Sequence, residues 1–188
     1  MSKFKINKTI KPFYRTLNIE GDKSLSIRWA LLASQAIGKS YAKNLLKSDD
    51  VLHTLNCLKK LGTKIKKKKD KYEIHGLGLN GYKFKNNIIL DAGNSGTLGR
   101  LILGLLIHTK KKIKLIGDKS LSKRDFLRVT KPLENFGANL KTSSGKLPIT
   151  VTGTKNPVPI RYYENKGSAQ CKSAIMLAAL NTKGETVI

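Results

Sequence analysis

The stretch SGTLGRLILGLLIH, residues 95–108, is apolar on nearly every side of the helix that its pattern predicts. A surface helix carries a polar face, so a helix that is apolar all round is expected to be buried on every side. Two further segments open and continue in the same way, SLSIRWALLASQAIG from Ser24 and SAQCKSAIMLAAL from Ser168. The first serines of the three segments lie 71 and 73 residues apart, which predicts a repeated structural unit.

Landmarks outside these helices repeat with similar spacing. LKKLGTKIKK around Gly62 matches LENFGANLKT around Gly137, and YEIHG ending at Gly76 matches ITVTG ending at Gly153. Each unit is predicted to run from an apolar helix through a short strand and an amphipathic helix to two closing strands. The predicted strands are YAKNLL, KIKKKK and KYEIHG in unit one, and KIKLIG, ANLKT and PITVTG in unit two.

The second helix of each unit is predicted to be apolar on one face only. In unit one we expect Ser48 or Asp49 to be its N-cap and Gly62 to follow its last turn. In unit two Pro132 falls in this helix and is expected to bend it or to mark its start. The apolar face in unit one is predicted to comprise Val51, Leu52, Leu55, Leu58 and Leu61.

The starts of the three apolar helices are candidate binding sites. If the units are related by pseudo-threefold symmetry, the helix starts at Ser24, Gly96 and Ser168 emerge at one end of the domain. A helix N-terminus carries unpaired N–H groups and a partial positive charge, so it attracts anions. A polar loop, GDKSLSKR, adds Arg124 to this end. Ser24 is also a candidate N-cap, in which case its hydroxyl would serve the helix itself.

The net charge of +25 is typical of nucleic-acid-binding proteins. Almost all of it is lysine, spread through the predicted strands and helices together with many Asn and Ile, a composition that an AT-rich genome also produces. The one dense cluster, Lys64–Lys69, is interpreted as the exposed edge of a hairpin that turns at Asp70. Aromatic residues make up only 6% of the chain, which disfavours a base-stacking surface.

The remaining composition is typical of a cytosolic globular protein. No run of about 18 apolar residues predicts a membrane span, and MSKFKINKTIK has no apolar core of a secretory signal. Both cysteines, Cys57 and Cys171, fall within apolar helical patterns. They are interpreted as reduced core residues and not as a disulfide or a metal site.

Four motifs in this order and spacing resemble the N-terminal signatures of EPSP synthases: GDKSLSIRWALLA, LDAGNSGTLGRLILGLL, GDKSLSKRDFLRVTKPLENFGA and GSAQCKSAIMLAAL. The resemblance implies an α/β fold of repeated βαβαββ units around buried parallel helices, in two similar domains with the ligands between them. Residues 21–188 would form an incomplete ligand-binding domain of about two and a half units. Residues 1–20 would belong to the other domain.

The resemblance also implies an enzyme that transfers the enolpyruvyl group of phosphoenolpyruvate to the 5-hydroxyl of shikimate 3-phosphate. Lys23 would be catalytic and would contact both substrates, and Asn94 would shape the turn at Gly96. No metal or organic cofactor is implied. The implied shikimate 3-phosphate residues are Lys23, Ser24, Arg28, Ser168, Ala169 and Gln170, and the implied phosphoenolpyruvate residues are Lys23, Gly96, Arg124 and Gln170.

The sequence departs from the family pattern in some places. Ala169 stands where one branch of the family has a second Ser, and Leu101 follows Arg100 where one branch has Pro. The sequence stops at GETVI, as a third unit begins. We therefore expect a truncated part that lacks the second domain, with its acid/base Asp and Lys and its substrate-binding arginines, and that is inactive alone. Family enzymes are usually monomeric and cytoplasmic.

One rival enzyme shares the implied fold, the UDP-N-acetylglucosamine enolpyruvyl transferase. That enzyme typically has Asn after the motif lysine and a reactive Cys in the loop that matches Gly117–Arg124. This chain has Ser24 after Lys23 and no Cys in that loop. The sequence therefore favours the EPSP synthase resemblance, with the rival transferase and a basic nucleic-acid-binding module as the alternatives.

Overall fold

The computed structural model describes residues 3, 5, 7–9, 11–165 and 167–188, so the predicted segment 1–20 lies partly outside it. The helices of the described chain are α1 Lys23–Gln35, α2 Asp49–Lys60, α3 Gly96–Leu106, α4 Leu127–Glu134 and α5 Ala169–Ala179. The strands are β1 Ile37–Lys43, β2 Lys64–Lys68, β3 Lys71–Leu77, β4 Ile88–Asp91, β5 Ile113–Ile116, β6 Asn139–Ser143 and β7 Lys146–Thr152. A short 3-10 turn, Leu121–Lys123, lies between β5 and α4.

The strands form two sheets that repeat one arrangement. The first has the order β1-β3-β2 and is antiparallel throughout. The second has the order β4-β5-β7-β6, in which β4 is parallel to β5 and the other pairs are antiparallel. Unit two is therefore a complete βαβαββ unit, whereas unit one lacks the opening strand among the described residues. In unit three a parallel bridge joins Arg161, before α5, to Val187, after it. It corresponds to the parallel pairing of β4 and β5 on either side of α3.

Helix α3 is the central helix of the described chain. Every residue of α3 except Arg100 is buried, as its apolar sequence predicted. It packs closely on α5, because a Cβ atom on Gly104 would lie only 2.1 Å from the carbonyl oxygen of Ala174. Gly104 thus allows the two helix backbones to approach to a distance that any other residue would prevent.

Burial of α1 and α5 on every side was also predicted, and for these two helices the prediction is wrong. Leu25 and Leu32 of α1 are 68% and 51% exposed, and Met176 of α5 and Leu180 at its end are 58% and 47% exposed. An apolar helix face is buried only where another element covers it. No element of the described chain covers these faces.

Two local predictions in unit one are corrected by the backbone and by the packing. The first strand runs over Ile37–Lys43, so only the first half of the predicted YAKNLL belongs to it, because Asn44 adopts a left-handed conformation with φ 56° and ends the strand. In α2, Leu52 is 49% exposed, so it does not belong to the apolar face. That face instead includes the buried Thr54.

The ends of the second helices follow their predicted signals in part. Ser48 occupies the N-cap position of α2, although its side chain makes no capping hydrogen bond. At the other end the N–H groups of Gly62 and Thr63 donate to the carbonyl oxygens of Lys59 and Leu58. These two hydrogen bonds form a Schellman motif. Pro132 lies inside α4 and so does not mark its start.

The lysine-rich segment is an exposed edge, as predicted. Strand β2 lies at the edge of the first sheet, and all its residues except Ile65 are exposed. Cys57 and Cys171 are both buried and free, which confirms that they are core thiols. Within the described residues, no helix has both the length and the apolar character that a membrane span requires.

Candidate active site

The starts of α1, α3 and α5 meet around one polar pocket of about 260 Å3. The prediction that these helix starts emerge at one end is therefore confirmed. Residues from α2 and from the loop after β5 complete the wall. The pocket is lined by Lys23, Asp50, Asn94, Gly96, Thr97, Arg124 and Gln170.

At the start of α1 the capping residue is Asp22 and not Ser24. The Asp22 carboxylate accepts a hydrogen bond of 2.7 Å from the Leu25 N–H. Ser24 therefore lies in the first helical turn, and its hydroxyl is not used for capping. Lys23, one residue earlier, forms an ion pair of 3.1 Å with Asp50 of α2. Asp50 thus holds the lysine amino group beside the pocket.

At the start of α3, Gly96 lies against the ends of two arginine side chains. Ser95 caps the helix by accepting a hydrogen bond of 3.2 Å from the Leu98 N–H. A Cβ atom on Gly96 would lie 2.8 Å from Nη1 of Arg100 and 3.1 Å from Nη1 of Arg124. Glycine leaves room for both guanidinium groups, and it lets a ligand approach the helix backbone.

The loop after β5 brings Arg124 to the pocket. The Asp118 N–H donates to the Gly93 carbonyl over 2.9 Å, which ties this loop to the turn before α3. The Asp118 carboxylate then accepts from the Leu121 N–H over 2.7 Å, and Leu121 itself is fully buried. Arg124 donates over 3.3 Å to the side-chain oxygen of Asn94. Asn94 thus contacts Arg124 and lies two residues before Gly96. It therefore connects these two neighbouring parts of the pocket wall.

At the start of α5, Ser168 caps the helix, whereas Gln170 lines the pocket. Ser168 is the N-cap and accepts a hydrogen bond of 3.2 Å from the Cys171 N–H. The side-chain oxygen of Gln170 accepts from Arg100 over 3.0 Å, and its amide nitrogen donates over 3.2 Å to Thr97. The side chain of Gln170 is therefore held at both ends.

Arg28 lies outside this pocket. Its guanidinium donates over 2.6 Å to Ser173, whose hydroxyl donates over 2.7 Å to the Ala169 carbonyl. Arg28 lines an adjoining, mostly apolar groove of about 230 Å3 between α1, α3 and α5. The structure thus brings Lys23, Gly96, Arg124 and Gln170 together. Ser24, Ser168 and Ala169 lie at the starts of α1 and α5 but are not part of the pocket wall.

Three residues of this region have roles that sequence reasoning missed, Asp50, Thr97 and Arg100. The sequence offered only their positions as a signal, since Asp50 is the second residue of α2, and Thr97 and Arg100 follow Gly96 within about one turn. Burial is the main cause that lowers the pKa of Arg100, and the positive charges of Arg124 and Arg128 act in the same direction. Arg100, Arg124 and Arg128 therefore lie near one another beside the pocket.

In the part of the chain that the structure describes, no group of three or more His, Cys, Asp and Glu residues is arranged to hold a metal ion. The donors at the pocket are instead two cationic side chains, two amides, a hydroxyl and the N–H groups of the helix starts, and the one carboxylate of the wall, Asp50, is paired with Lys23. Such donors are suited to anions that carry phosphate or carboxylate groups.

The family model of EPSP synthase (3-phosphoshikimate 1-carboxyvinyltransferase) matches residues 7–188. The chain belongs to the EPSP synthase family. Among curated relatives, the 3-phosphoshikimate 1-carboxyvinyltransferase of Vesicomyosocius okutanii is 44% identical over 188 residues, which is 100% of this chain and 43% of the relative. The one from Paracoccus denitrificans is 39% identical over 94% of this chain and 40% of its own length.

A solved EPSP synthase structure from Acinetobacter baumannii superposes on this family member with a TM-score of 0.85 and 38% sequence identity. The match covers 90% of this chain and 39% of that one. The repeated units described above are therefore those of the EPSP synthase fold. The chain spans about 40% of the length of the relatives that it matches.

Proposed function

We propose that this chain supplies one ligand-binding part of an enzyme that transfers the enolpyruvyl group of phosphoenolpyruvate to shikimate 3-phosphate, releasing phosphate. The observation that carries this proposal is the meeting of three helix starts around Lys23, Gly96, Arg124 and Gln170 in one pocket. The relatives named 3-phosphoshikimate 1-carboxyvinyltransferase support the same reaction. No cofactor enters the proposal.

Phosphoenolpyruvate carries a phosphate and a carboxylate, and the pocket offers donors for both. Arg124 supplies a rigid fork of N–H groups, Lys23 an ammonium group, and Gly96 a backbone N–H in the first turn of α3. In the proposed reaction the 5-hydroxyl oxygen attacks C2 of phosphoenolpyruvate and loses its proton, while C3 gains a proton and the C2–C3 double bond becomes single, which gives a tetrahedral intermediate. C3 then loses a proton, the bond from C2 to the phosphate oxygen breaks, and phosphate leaves as the enol double bond forms again. Lys23, as the catalytic residue, would stabilise charge that develops in these steps.

Shikimate 3-phosphate is proposed to bind beside this pocket, at the starts of α1 and α5. Among the described residues no carboxylate forms an ion pair with Arg28, so its charge is available for a phosphate. Ser24 supports this site with a hydroxyl that is not used for capping. The remaining proposed contacts are Ser168, Ala169 and Gln170, with Lys23 near the ring.

The proposed enzyme requires a second domain, so the remaining C-terminal half of the family fold is the proposed partner of residues 21–188. Residues 1–20 are proposed to belong to that other domain. Four large apolar side chains in this segment support the assignment, because Phe13, Tyr14, Leu17 and Ile19 are 68%, 101%, 70% and 79% exposed. A monomeric, cytoplasmic enzyme is proposed, and the two free cysteines are consistent with a reducing compartment.

Binding of shikimate 3-phosphate by the purified chain tests the substrate assignment. Calorimetry should detect weak binding, and Arg28→Ala should weaken it about tenfold, because a charge-assisted hydrogen bond is lost. Arg161→Ala is the matched control, since Arg161 is exposed and lines neither the pocket nor the adjoining groove. Identical titrations of wild type and Arg28→Ala would contradict the proposed phosphate site.

The proposed division of catalytic groups has its own test. The chain alone should convert no phosphoenolpyruvate, because the acid/base groups are assigned to the other domain. Measurable turnover by the purified chain would contradict this. RNA that competes with shikimate 3-phosphate at physiological ionic strength would favour the basic nucleic-acid-binding alternative.

A further inference from the structure

Arg100 lies behind the candidate pocket. It is not part of the pocket wall, but it contacts two residues that are, Gly96 and Gln170. We propose that Arg100 is a positioning residue that turns the amide of Gln170 so that its NH2 group faces the anionic ligand. The proposal rests on the proposed function only for the identity of that ligand.

The guanidinium of Arg100 is fixed from several sides. Nη1 donates to the Gly96 carbonyl over 3.3 Å and to the Gln170 side-chain oxygen over 3.0 Å. Nη2 donates to the Asp125 carbonyl over 3.2 Å. Its carbon lies 5.1 Å from the ring centre of Phe126, which is fully buried. A planar guanidinium held in this way links α3, the loop before α4 and α5.

This contact decides which end of the amide faces the pocket. Arginine can only donate hydrogen bonds, so it binds the oxygen of Gln170 and excludes the NH2 group. The NH2 group is then turned toward Thr97, to which it donates over 3.2 Å, and its second N–H is left for a ligand. The Thr97 hydroxyl alone would accept either orientation, because it can both donate and accept.

The opposite orientation would oppose anion binding. The amide oxygen carries partial negative charge, and in that orientation it would lie toward the ligand while the NH2 group faced another donor. Arg100 therefore acts on the ligand through Gln170, in addition to the effect of its positive charge. Any test has to separate the orientation effect from the charge effect.

Arg128 provides the control for charge. It is close enough for its charge to influence the pKa of Arg100, and its own nearest carboxylate is Glu164 at 3.9 Å. Arg128 has no hydrogen bond to Gln170 and is not part of the pocket wall. Arg128→Met therefore removes a neighbouring positive charge and leaves the amide of Gln170 with its partners.

The side-chain amide of Gln170 can be observed directly in the ligand-free chain by 15N NMR. The chain contains only two glutamines, Gln35 and Gln170, so Gln170→Leu assigns the signal and Gln35 serves as an internal reference. Arg100→Met should move the Gln170 NH2 signals to the positions of a free side chain. Arg100→Lys should retain part of the shift, since lysine also only donates. Unchanged Gln170 signals in Arg100→Met would overturn the proposal.

Ligand binding gives the second measurement, with shikimate 3-phosphate and phosphoenolpyruvate as the probes. Arg100→Met should weaken binding about tenfold more than Arg128→Met does. In the Gln170→Leu background the two substitutions should have equal effects, because the orientation effect is absent there. If Arg100→Met weakens binding more than Arg128→Met does, and by the same factor in the wild-type chain and in Gln170→Leu, the proposal is overturned. If the wild-type chain binds neither probe, the proposed function fails, and the ligand-free amide signals still decide the role of Arg100.

Discussion

Units one and two of this EPSP synthase-family chain have the same local construction. Gly62 and Gly137 follow the second helices with φ of 95° and 96°. Gly76 and Gly153 each close a unit against the end of its internal helix. A Cβ atom there would lie 2.1 Å from the Ala36 oxygen in unit one and 2.3 Å from the Ile107 oxygen in unit two.

The two units differ in what surrounds their internal helices. In unit two, β4 pairs with β5 and leads into α3, which also packs on α5 and is buried apart from Arg100. In unit one, β1 has no such parallel partner among the described residues, and α1 leaves Leu25 and Leu32 exposed. Local sequence thus determines the unit, whereas the neighbouring units determine how much of each helix is buried.

The largest effect is expected at the contact that sets α3 apart from α1. Gly104→Ala should lower the free energy of unfolding by about 3 kcal/mol, because the new methyl group overlaps the Ala174 backbone. Gly99→Ala in the same helix is the control. Its methyl group would lie 3.3 Å from the Phe126 ring, and better helix propensity offsets this by about 1 kcal/mol.

Urea denaturation of both variants measures this difference. Equal stability of Gly104→Ala and Gly99→Ala would show that α3 and α5 are not in close backbone contact. The close packing that distinguishes α3 from α1 would then be contradicted.

A smaller effect is expected where the units are most alike. Gly137→Ala should destabilise the chain by about 1 kcal/mol, because alanine is strained at positive φ. Gly62→Ala should destabilise it by about 2 kcal/mol or more, since its methyl group would also lie 2.6 Å from the Lys83 carbonyl. Thermal unfolding of the two variants provides the comparison, and a larger loss in Gly137→Ala would contradict it.

The junction of α3 with α5 should also give a pH dependence that unit one lacks. Burial lowers the pKa of His108 below its usual value, and its Nε2 lies 3.0 Å from the Ala178 carbonyl oxygen. The unfolded chain binds a proton on this residue more readily. The stabilisation by His108 is therefore complete above about pH 6.5 and is lost as the pH falls through the lower folded value.

His108→Gln should remove this part of the pH dependence at a loss of about 1 kcal/mol or less at pH 7.5. His75→Gln is the control, since His75 lies on the exposed side of β3. If both variants show the same acid-induced loss as the wild type, His108 does not titrate as described.

The smallest effect is expected at the junction between the units. Cys57 of α2 donates to the Asp91 carbonyl of β4 over 3.3 Å, and burial raises the pKa of its thiol to about 11. Almost no thiolate is present at pH 8, so iodoacetamide should label Cys57 slowly in the folded chain and rapidly in urea. Rapid labelling of the folded chain would show that α2 separates readily from β4.

Much of the fold was predictable because its signals are local. Apolar periodicity and the residues that end helices and strands predict several of its features. These are the hairpin strands β2, β3, β6 and β7, the glycine after each second helix, and the meeting of the helix starts. The error at β1 has a local cause as well. Asn44 ends the strand in a left-handed conformation, which asparagine tolerates but does not require.

The candidate site was predictable as a set of motif residues but not as an arrangement. The pairing of Lys23 with Asp50 joins α1 to α2, and the contact of Arg100 with Gln170 joins α3 to α5. Neither pair is close in sequence. The direction of the Gln170 amide depends on which donor faces it, and no pattern in the sequence contains that information.

The sequence by itself determined the repeated unit, its helices and most of its strands, and the end of the domain at which the helix starts meet. These depend on backbone preferences and apolar periodicity, which act over a few residues. Only the tertiary structure decided that α3 is enclosed while α1 and α5 keep exposed apolar faces, and that Arg28 contacts Ser173 beside the pocket. Burial and side-chain partners depend on which elements lie next to each other in space.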